Sequence, residues 1–318
     1  MAKSLAEYAE WLAERNLRWP QAPRLEGVKA TSYTKPLPGI KAVAWDIYGT
    51  LLRITDGELL FQHPQAVRME VALDKTIEEF KMWHSMSRKP GAPWEYMLQL
   101  FARAYDELRM LGSGRKGELS EVDAARLWRK IVEKLQQNEY IYDESFYGDL
   151  DDYGAKIAYF FHSSLQGTEA TPGALEVLTN ISRRGLVQGI IADGQCFTMV
   201  QLLRGLEAQG QLPPLAGLFH QQAITLSYEE GIRKPSKSFY LKALERFRGL
   251  GISPSQILYV SARLREDLAV AKSLGLRTGL YAGDKVSLRA SATDLKDPEV
   301  KPDRLITDLK QVREILSL

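Results

Sequence analysis

Hydrophobic and polar positions near the start of the chain repeat with a helical period. Over residues 4–16, four apolar side chains fall on one face, namely Leu5, Tyr8, Ala9 and Leu12. A repeat at these spacings predicts an amphipathic helix.

The period is lost after this segment and a short apolar run follows. Residues 17–39 contain four prolines and no sustained repeat, so we expect an extended arm across the surface. Lys41 to Trp45 is then a compact apolar run that fits a buried strand.

The pattern over about residues 56–165 is mostly helical and rich in aromatic residues. It is interrupted by LGSGRKGELSE, whose glycines break the pattern and whose serine offers an N-cap to the next helix. The helical segments are TIEEFKMWHSM, WEYMLQLFARAYDELRML and DAARLWRKIVEKLQQ.

After Pro172 the pattern changes to strands that alternate with helices. This alternation predicts parallel βαβ units with right-handed crossovers. The predicted strands are LVQGIIAD, AGLFHQQAI, QILYVSA and RTGLYAG. The predicted helices are ALEVLTNISRRG, CFTMVQLLRGLEAQG, SKSFYLKALERFRGLG and EDLAVAKSLG, and DRLITDLKQVREIL closes the chain.

Composition narrows the class of protein. The 318 residues are 45% apolar and 26% charged, which is ordinary for a globular protein with a buried core. A formal charge of +2 gives no argument for nucleic acid or a membrane as partner. A single cysteine, Cys196, excludes an intrachain disulfide and favours a reducing compartment. The amino terminus carries three acids and does not resemble a secretion signal, so we expect a cytoplasmic protein.

Three residues sit at the carboxyl ends of predicted strands, where open parallel sheets bind ligands. They are Asp46, Asp193 and Ala262, and Lys234 lies in a loop that could reach the same edge.

Four short motifs around these residues resemble those of the haloacid dehalogenase-like hydrolase superfamily. In chain order they are WDIYGTLL, IIADGQ, GIRKP and VSARLREDLAVAKSLG. The resemblance covers residues 41–60 and 165–318. It implies an α/β fold, a doubly wound parallel sheet with a Rossmann-like core, made of residues 36–54 and 166–318. An α-helical cap would occupy residues 55–165, and residues 1–35 would form an N-terminal helix and arm.

The resemblance also implies roles for single residues. Asp46 would be the nucleophile that forms a covalent aspartyl intermediate, and the turn through Gly49 would lift its carboxylate clear of the sheet. Lys234 would offset the negative charge around the nucleophile. Tyr48, Gly49, Asp193 and Gly194 would contact the substrate. Read alone, Asp46 could instead cap the following turn, and Lys234 with its proline could be a solvated loop.

Two departures from the family pattern affect the leaving group and the transferred group. Phosphatases of the family usually carry a second Asp two residues after the nucleophile, where this chain has Tyr48. A phenol with an ordinary pKa of about 10 is a poor proton donor near neutral pH. The dehalogenases of the family carry Tyr there, since a halide leaves without a proton. The second motif has Ala192 in place of a hydroxyl residue, and the Asp193 carboxylate would repel an anionic substrate.

The fourth motif departs most and bears on magnesium. The usual Gly-Asp pair is Ser261-Ala262, and only Asp267 remains. The ligands left are the Asp46 carboxylate, the Tyr48 carbonyl and Asp267, so we expect weak magnesium binding and no organic cofactor. Asp267 could equally be an ordinary first-turn helix acid.

The remaining candidates favour structural roles. Cys196 begins a helix, where a thiolate is favoured, but a buried structural cysteine is the simpler interpretation. The histidines at 63, 84, 162 and 220 lack the spacing of zinc ligands. Four cap aromatics sit at helical spacing and are mostly core, with one or two expected at the cleft, namely Trp83, Trp94, Tyr96 and Trp128.

Two functional hypotheses follow. The first is a hydrolase that uses Asp46 on a small substrate of the phosphate-ester or 2-haloacid type. The alternative is a catalytically retired member of the family that binds a ligand or partner. Asp46 and Lys234 favour the enzyme, whereas Tyr48, Ala192 and Ala262 favour the alternative.

Overall fold

The computed structural model describes residues 1–86, 91–112 and 117–318. Within these ranges the strands are β1 (Ala42–Trp45), β2 (Leu52–Ile54), β3 (Leu119–Ser120), β4 (Thr168–Ala170), β5 (Val187–Ala192), β6 (Ile224–Leu226), β7 (Ile232–Arg233), β8 (Ile257–Ser261), β9 (Arg277–Tyr281) and β10 (Arg304–Ile306). The helices are α1 (Leu5–Glu14), α2 (Ala66–Glu79), α3 (Pro93–Met110), α4 (Ala124–Gln136), α5 (Glu144–Tyr147), α6 (Leu150–Leu165), α7 (Ala174–Arg183), α8 (Thr198–Glu207), α9 (Ser227–Glu230), α10 (Lys237–Gly249), α11 (Val270–Ser273) and α12 (Val312–Ile315). A π-helical turn, Leu264–Ala269, precedes α11.

The main sheet is parallel, with β1 at its centre. Among the described residues, six strands pair in the order β10-β9-β8-β1-β5-β6, and each neighbouring pair is parallel. Ala42 of β1 lies opposite Val187 on one side and Ile257 on the other. The predicted doubly wound parallel sheet is confirmed.

Alternate residues of β1 point into two separate hydrophobic clusters. Val43 and Trp45 pack in a cluster with α7, α8 and α12. Ala42 and Ala44 pack in a second cluster with α10 and α11. Because side chains alternate along a strand, one apolar run supplies both layers, which is why β1 reads as uniformly hydrophobic.

The predicted strand AGLFHQQAI, residues 216–224, is wrong over most of its length. Leu215–Gly217 and Gln221–Ala223 form short 3₁₀ turns, and the strand is β6, which begins at Ile224. Neighbouring Leu218 and Phe219 are both buried in the same cluster. A strand would send these side chains to opposite faces, whereas a tight turn places both on one.

The helical insert between β1 and α7 is built around its own hydrophobic cluster. Helices α2, α3, α4 and α6 supply most of it, and Tyr8, Ala9 and Leu12 of α1 join the same cluster. Strands β2 and β4 pair antiparallel at the two ends of the insert. The α-helical insertion on the parallel core is confirmed, and residues 55–165 remain our proposed cap.

The N-cap of the helix after the glycine-rich break is an aspartate and not the predicted serine. Asp123 is the N-cap of α4, and its carboxylate accepts hydrogen bonds from the backbone of Ala125 and Arg126. Ser120 lies instead in β3. Residues 113–116 of the break lie outside the described residues.

The N-terminal arm packs on its own chain at the edge of the sheet. The Tyr33 backbone pairs with Leu305 of β10, with N–O distances of 2.7 and 3.2 Å. The Arg304 guanidinium donates to the carbonyls of Lys35 and Pro36. The arm thus covers an edge strand that would otherwise expose unpaired backbone groups. Over the described residues, we find no helix with the length and apolar character needed to span a membrane.

Candidate active site

The carboxylate of Asp46 stands at the carboxyl end of the central strand. Its backbone N–H still donates to the Val260 carbonyl, at 3.0 Å, so the ladder holds it in place. The chain then turns, with the Thr50 N–H donating to the Ile47 carbonyl and Gly49 at a φ of +87°. A Cβ at Gly49 would lie 3.0 Å from the Ser287 side chain, so both the conformation and the space favour glycine.

The ammonium of Lys234 joins two buried carboxylates. Nζ lies 2.8 Å from Asp46 Oδ1 and 2.7 Å from Asp267 Oδ2, and the three side chains are at most 4% exposed. The Lys234 backbone N–H donates to Asp193 Oδ1 at 2.9 Å, which fixes the loop that carries the lysine. The three predicted residues Asp46, Lys234 and Asp267 are therefore brought together.

Asp267 is buried within a hydrogen-bond network. Its Oδ2 also accepts from the hydroxyls of Ser261, at 2.6 Å, and Tyr259, at 3.3 Å. The Tyr240 hydroxyl lies 3.5 Å from Oδ1. Asp267 is thus a buried partner of Lys234, unlike a solvated first-turn helix acid.

Burial and charge act in opposite directions on this group. Burial raises the pKa of Asp46 to about 6, although Lys234 acts to lower it. Burial alone would lower the pKa of Lys234, but Asp267 and Asp46 together raise it above its ordinary value. The lysine therefore stays protonated and is the main force that keeps Asp46 ionised near neutral pH.

A cavity of about 200 Å³ opens in front of Asp46. Its lining consists of Asp46, Tyr48, Glu58, Leu59, Phe61, Leu119, Glu121, Asp193, Gly194, Gln195, Arg233, Lys234, Pro235, Arg263 and Glu266. Most of the residues expected to contact substrate are present, whereas Gly49 shapes the turn behind the cavity. The described aromatic lining is Tyr48 and Phe61, so none of the four cap aromatics, of which one or two were expected here, lines the cavity.

The hydroxyl of Tyr48 is hydrogen-bonded to side chains of α8. Its hydroxyl donates to Gln201 Oε1 at 2.7 Å and lies 3.0 Å from Thr198 Oγ1. Burial raises its pKa above the ordinary value. Tyr48 is therefore a poor proton donor at this position.

Glu121 is a cavity residue that the sequence did not single out. It follows β3, which pairs antiparallel with β7 just before Lys234. Its Oε2 accepts from the Ser227 hydroxyl at 2.6 Å, and its Oε1 from the Val122 N–H at 3.0 Å. Burial first, and then the Asp193 carboxylate, raise its pKa to about 7. Its position in a glycine-rich break gave no signal of this role.

Arg263 was also missed and follows directly after Ala262. Its side chain is 15% exposed, and Nη2 lies 3.4 Å from Glu58 Oε2. Burial would lower its pKa, but Asp267 and Asp46 raise it, so the guanidinium stays charged. Arg233 is exposed and also borders the cavity.

The donor set fits magnesium poorly. Lys234 occupies the space between Asp46 and Asp267 by bonding to both, and Asp267 Oδ2 already accepts from Ser261. Ala262 offers no oxygen from its side chain and is buried in an apolar cluster. Within the described ranges, no three His, Cys, Asp or Glu side chains are grouped as metal ligands. Magnesium prefers several free oxygens in octahedral geometry, which these residues do not present.

The cysteine and two histidines have structural surroundings. Cys196 is partly buried against the helical cluster, and burial raises its pKa to about 12, so the thiolate is disfavoured. His63 lies 3.0 Å from Asp56, and His162 packs edge-on against Phe61.

Similar proteins fall in one family. The chain matches the haloacid dehalogenase-like hydrolases over residues 40–275. A glyceraldehyde 3-phosphate phosphatase of Pyrococcus furiosus is 30% identical over 145 residues, which are 46% of this chain and 53% of that protein. A phospholysine phosphohistidine inorganic pyrophosphate phosphatase of Xenopus laevis is 34% identical over 27% of this chain and 30% of that protein. The chain thus spans about half of the first relative and less of the second.

The fold is shared with a solved 2-haloacid dehalogenase from Pseudomonas syringae pv. Tomato DC3000. The two structures agree with a TM-score of 0.55 at 21% identity, over 87% of this chain and 98% of that chain.

Replacing the lysine should destabilise the protein far more than replacing the nucleophile. Lys234→Ala leaves two buried carboxylates without their cation, which should cost about 3–5 kcal/mol of unfolding free energy. Asp46→Asn removes one of the two acids and leaves Lys234 paired with Asp267, so its melting temperature should equal or exceed that of the wild type. Denaturant unfolding measures both.

Lys310→Ala is the matched control, because Lys310 forms an exposed pair with Glu176, 2.8 Å away. It should unfold like the wild type. An equally mild effect of Lys234→Ala would contradict the buried ion-pair arrangement.

Glu121→Gln should stabilise the protein in a pH-dependent way. The pKa of Glu121 rises from its ordinary value of 4.5 to about 7 on folding. The folded state thus holds the extra proton between these values, and the wild type loses stability as pH rises through this window. Gln cannot ionise, so the variant should gain over the wild type between pH 5 and pH 8. Thermal melts across this range test it, and a constant difference would refute the burial argument.

Proposed function

This chain belongs to the haloacid dehalogenase-like hydrolases, and we propose that it hydrolyses a small substrate by covalent catalysis at Asp46. The observation that carries the proposal is the carboxylate of Asp46, which faces the cavity while one oxygen is bound by Lys234 at 2.8 Å. A nucleophilic carboxylate must be ionised, and a buried ammonium at this distance favours that form.

The two oxygens of Asp46 are not equivalent. Oδ1 is held by Lys234, whereas Oδ2 has a contact of 3.5 Å with the Ser261 hydroxyl. We assign the attack to Oδ2, since it gives up less hydrogen bonding on forming the new bond. Lys234 then stabilises the charge that remains around the reacting group.

The leaving group distinguishes the substrate classes. Halide departs with the bonding electron pair and requires no proton, so a 2-haloacid can react although Tyr48 donates to Gln201. An alkoxide leaving from a phosphate ester requires a proton donor. Position 48 thus favours the 2-haloacid type, and the covalent ester of Asp46 would then be hydrolysed by water.

Phosphate esters are the second candidate, and Glu121 is the observation that favours them. This carboxyl group lines the cavity, and its pKa of about 7 allows it to donate and accept protons near neutral pH. The two curated relatives are named as phosphatases, which agrees with this class. For 2-haloacids and for phosphate esters alike, the Glu121 carboxylate can accept a proton from the water that hydrolyses the covalent intermediate.

Asp46→Asn should abolish turnover and leave the fold intact. The variant keeps the shape of the side chain but loses the attacking oxyanion. The assay is a panel of 2-haloacids and phosphate monoesters, with intact-mass detection of a covalent adduct in rapidly quenched wild type. Glu10→Asn, on the exposed side of α1, is the control and should retain the wild-type rate. Turnover retained by Asp46→Asn would contradict the nucleophile. A wild type inert toward the whole panel would favour a binding module.

Magnesium should bind weakly to the wild type. The remaining oxygens give too few free ligands, so we expect a dissociation constant of about 1 mM or weaker. Ala262→Asp supplies the missing carboxylate and should strengthen binding, while Ala262→Asn adds similar volume without the charge. Calorimetry compares the three proteins, and tight stoichiometric binding by the wild type would contradict this account.

A further inference from the structure

The guanidinium of Arg263 has hydrogen-bonding capacity that the protein leaves unused. The Nε–H is buried and, among the residues that the structure describes, has no hydrogen-bond partner. Its Nη2 makes a long contact of 3.4 Å with Glu58, whose own side chain is 45% exposed. Arg263 nevertheless lines the same cavity as Asp46 and Lys234.

A buried, unpartnered N–H on a charged group is costly. Leaving a buried donor unsatisfied costs about 1–3 kcal/mol, and more when the group is charged. The carboxylates of Asp267 and Asp46 hold the charge at a distance, as the raised pKa of Arg263 indicates, without bonding to Nε. A ligand that accepts these hydrogen bonds would remove the cost.

Of the two largely buried cations of the cavity, Arg263 is the one better suited to this task. Lys234 is already bonded to Asp46 and Asp267, so its positive charge is neutralised by these two carboxylates. A guanidinium presents a planar fork of N–H donors that matches two oxygens of a carboxylate or phosphoryl group.

We infer that Arg263 binds the anionic group of the substrate, a carboxylate or phosphoryl oxygen pair, and so orients the reacting atom toward Asp46. This inference rests on the proposed hydrolase function and adds to it the class of ligand and the residue that selects it. In the free protein the Glu58 carboxylate contacts Nη2, and the entering anion displaces it from there.

Anion binding without turnover tests this assignment. The probes are propionate, which carries the carboxylate but no leaving group, and inorganic phosphate, titrated by calorimetry into the wild type and Arg263→Gln. The wild type should bind one of them saturably, and Arg263→Gln should weaken that binding at least about tenfold, as expected for loss of a charge-assisted pair. Binding of propionate assigns a carboxylate substrate, and binding of phosphate assigns a phosphoryl substrate.

Two further variants guard against a folding artefact. Arg265→Gln lies on the same segment but pairs with Asp294 outside the cavity, so it should bind the anion like the wild type. Glu58→Gln removes the exposed partner of Arg263 and should tighten binding severalfold. Anion affinity that is unchanged in both Arg263→Gln and Glu58→Gln, or a wild type that binds neither probe, would overturn the inference.

The outcomes separate this inference from the proposed function. If no substrate is hydrolysed but anion binding depends on Arg263, the inference stands and the hydrolase proposal fails. If Asp46→Asn abolishes turnover while Arg263→Gln keeps the wild-type KM and anion affinity, the hydrolase proposal stands and the inference fails.

Discussion

The contact on which this site depends is the one between the Lys234 ammonium and the carboxylates of Asp46 and Asp267. These side chains come from the end of β1, the loop after β7 and the π-helical turn before α11. Each carboxylate would be costly to bury alone, and together they would repel each other. The positive charge of Lys234 offsets this cost, so the three segments have to meet at the lysine for the site to form. The site concentrates charge at some cost in stability, a common trade in enzymes.

Hydrogen bonds also join the helical insert to the segments around Asp193 and Lys234. Gln195 lies three residues after the end of β5. Its side chain accepts a hydrogen bond from the Ala124 N–H at 2.8 Å and donates one to the Val122 carbonyl at 2.9 Å. The Leu119 N–H donates to Ser236, two residues after Lys234. These contacts place Glu121 over the cavity, and they explain how a loop of the insert contributes a titratable group to a site built on the sheet.

Sequence reasoning succeeded where local pattern and tertiary structure agree. The apolar run before Asp46 predicted a buried strand, because a parallel strand that is covered on both faces is apolar throughout. Asp46 and Lys234 could be grouped because parallel strands end at one edge, whereas Asp267 was added by the resemblance of its motif to the family. Glu121 and Arg263 could not, since one follows a glycine-rich break and the other looks like any charged residue in a helical turn. Glu121 contacts Ser227 and Arg263 contacts Glu58, and both of these partners are far away in sequence.

The two main departures from the family pattern change the charge of the site in the same direction. Tyr48 and Ala262 each stand where a phosphatase of this family usually carries an acid, so together they remove two negative charges. A magnesium ion carries two positive charges, so the loss of both acids weakens the electrostatic attraction that such a site would offer it. Asp46 and Asp267 are paired with Lys234, and the cavity adds further carboxyl groups, Asp193 and Glu121 among them, beside the guanidinium of Arg263. Restoring one acid would add negative charge beside these groups, so both departures bear on the same electrostatic property of the site.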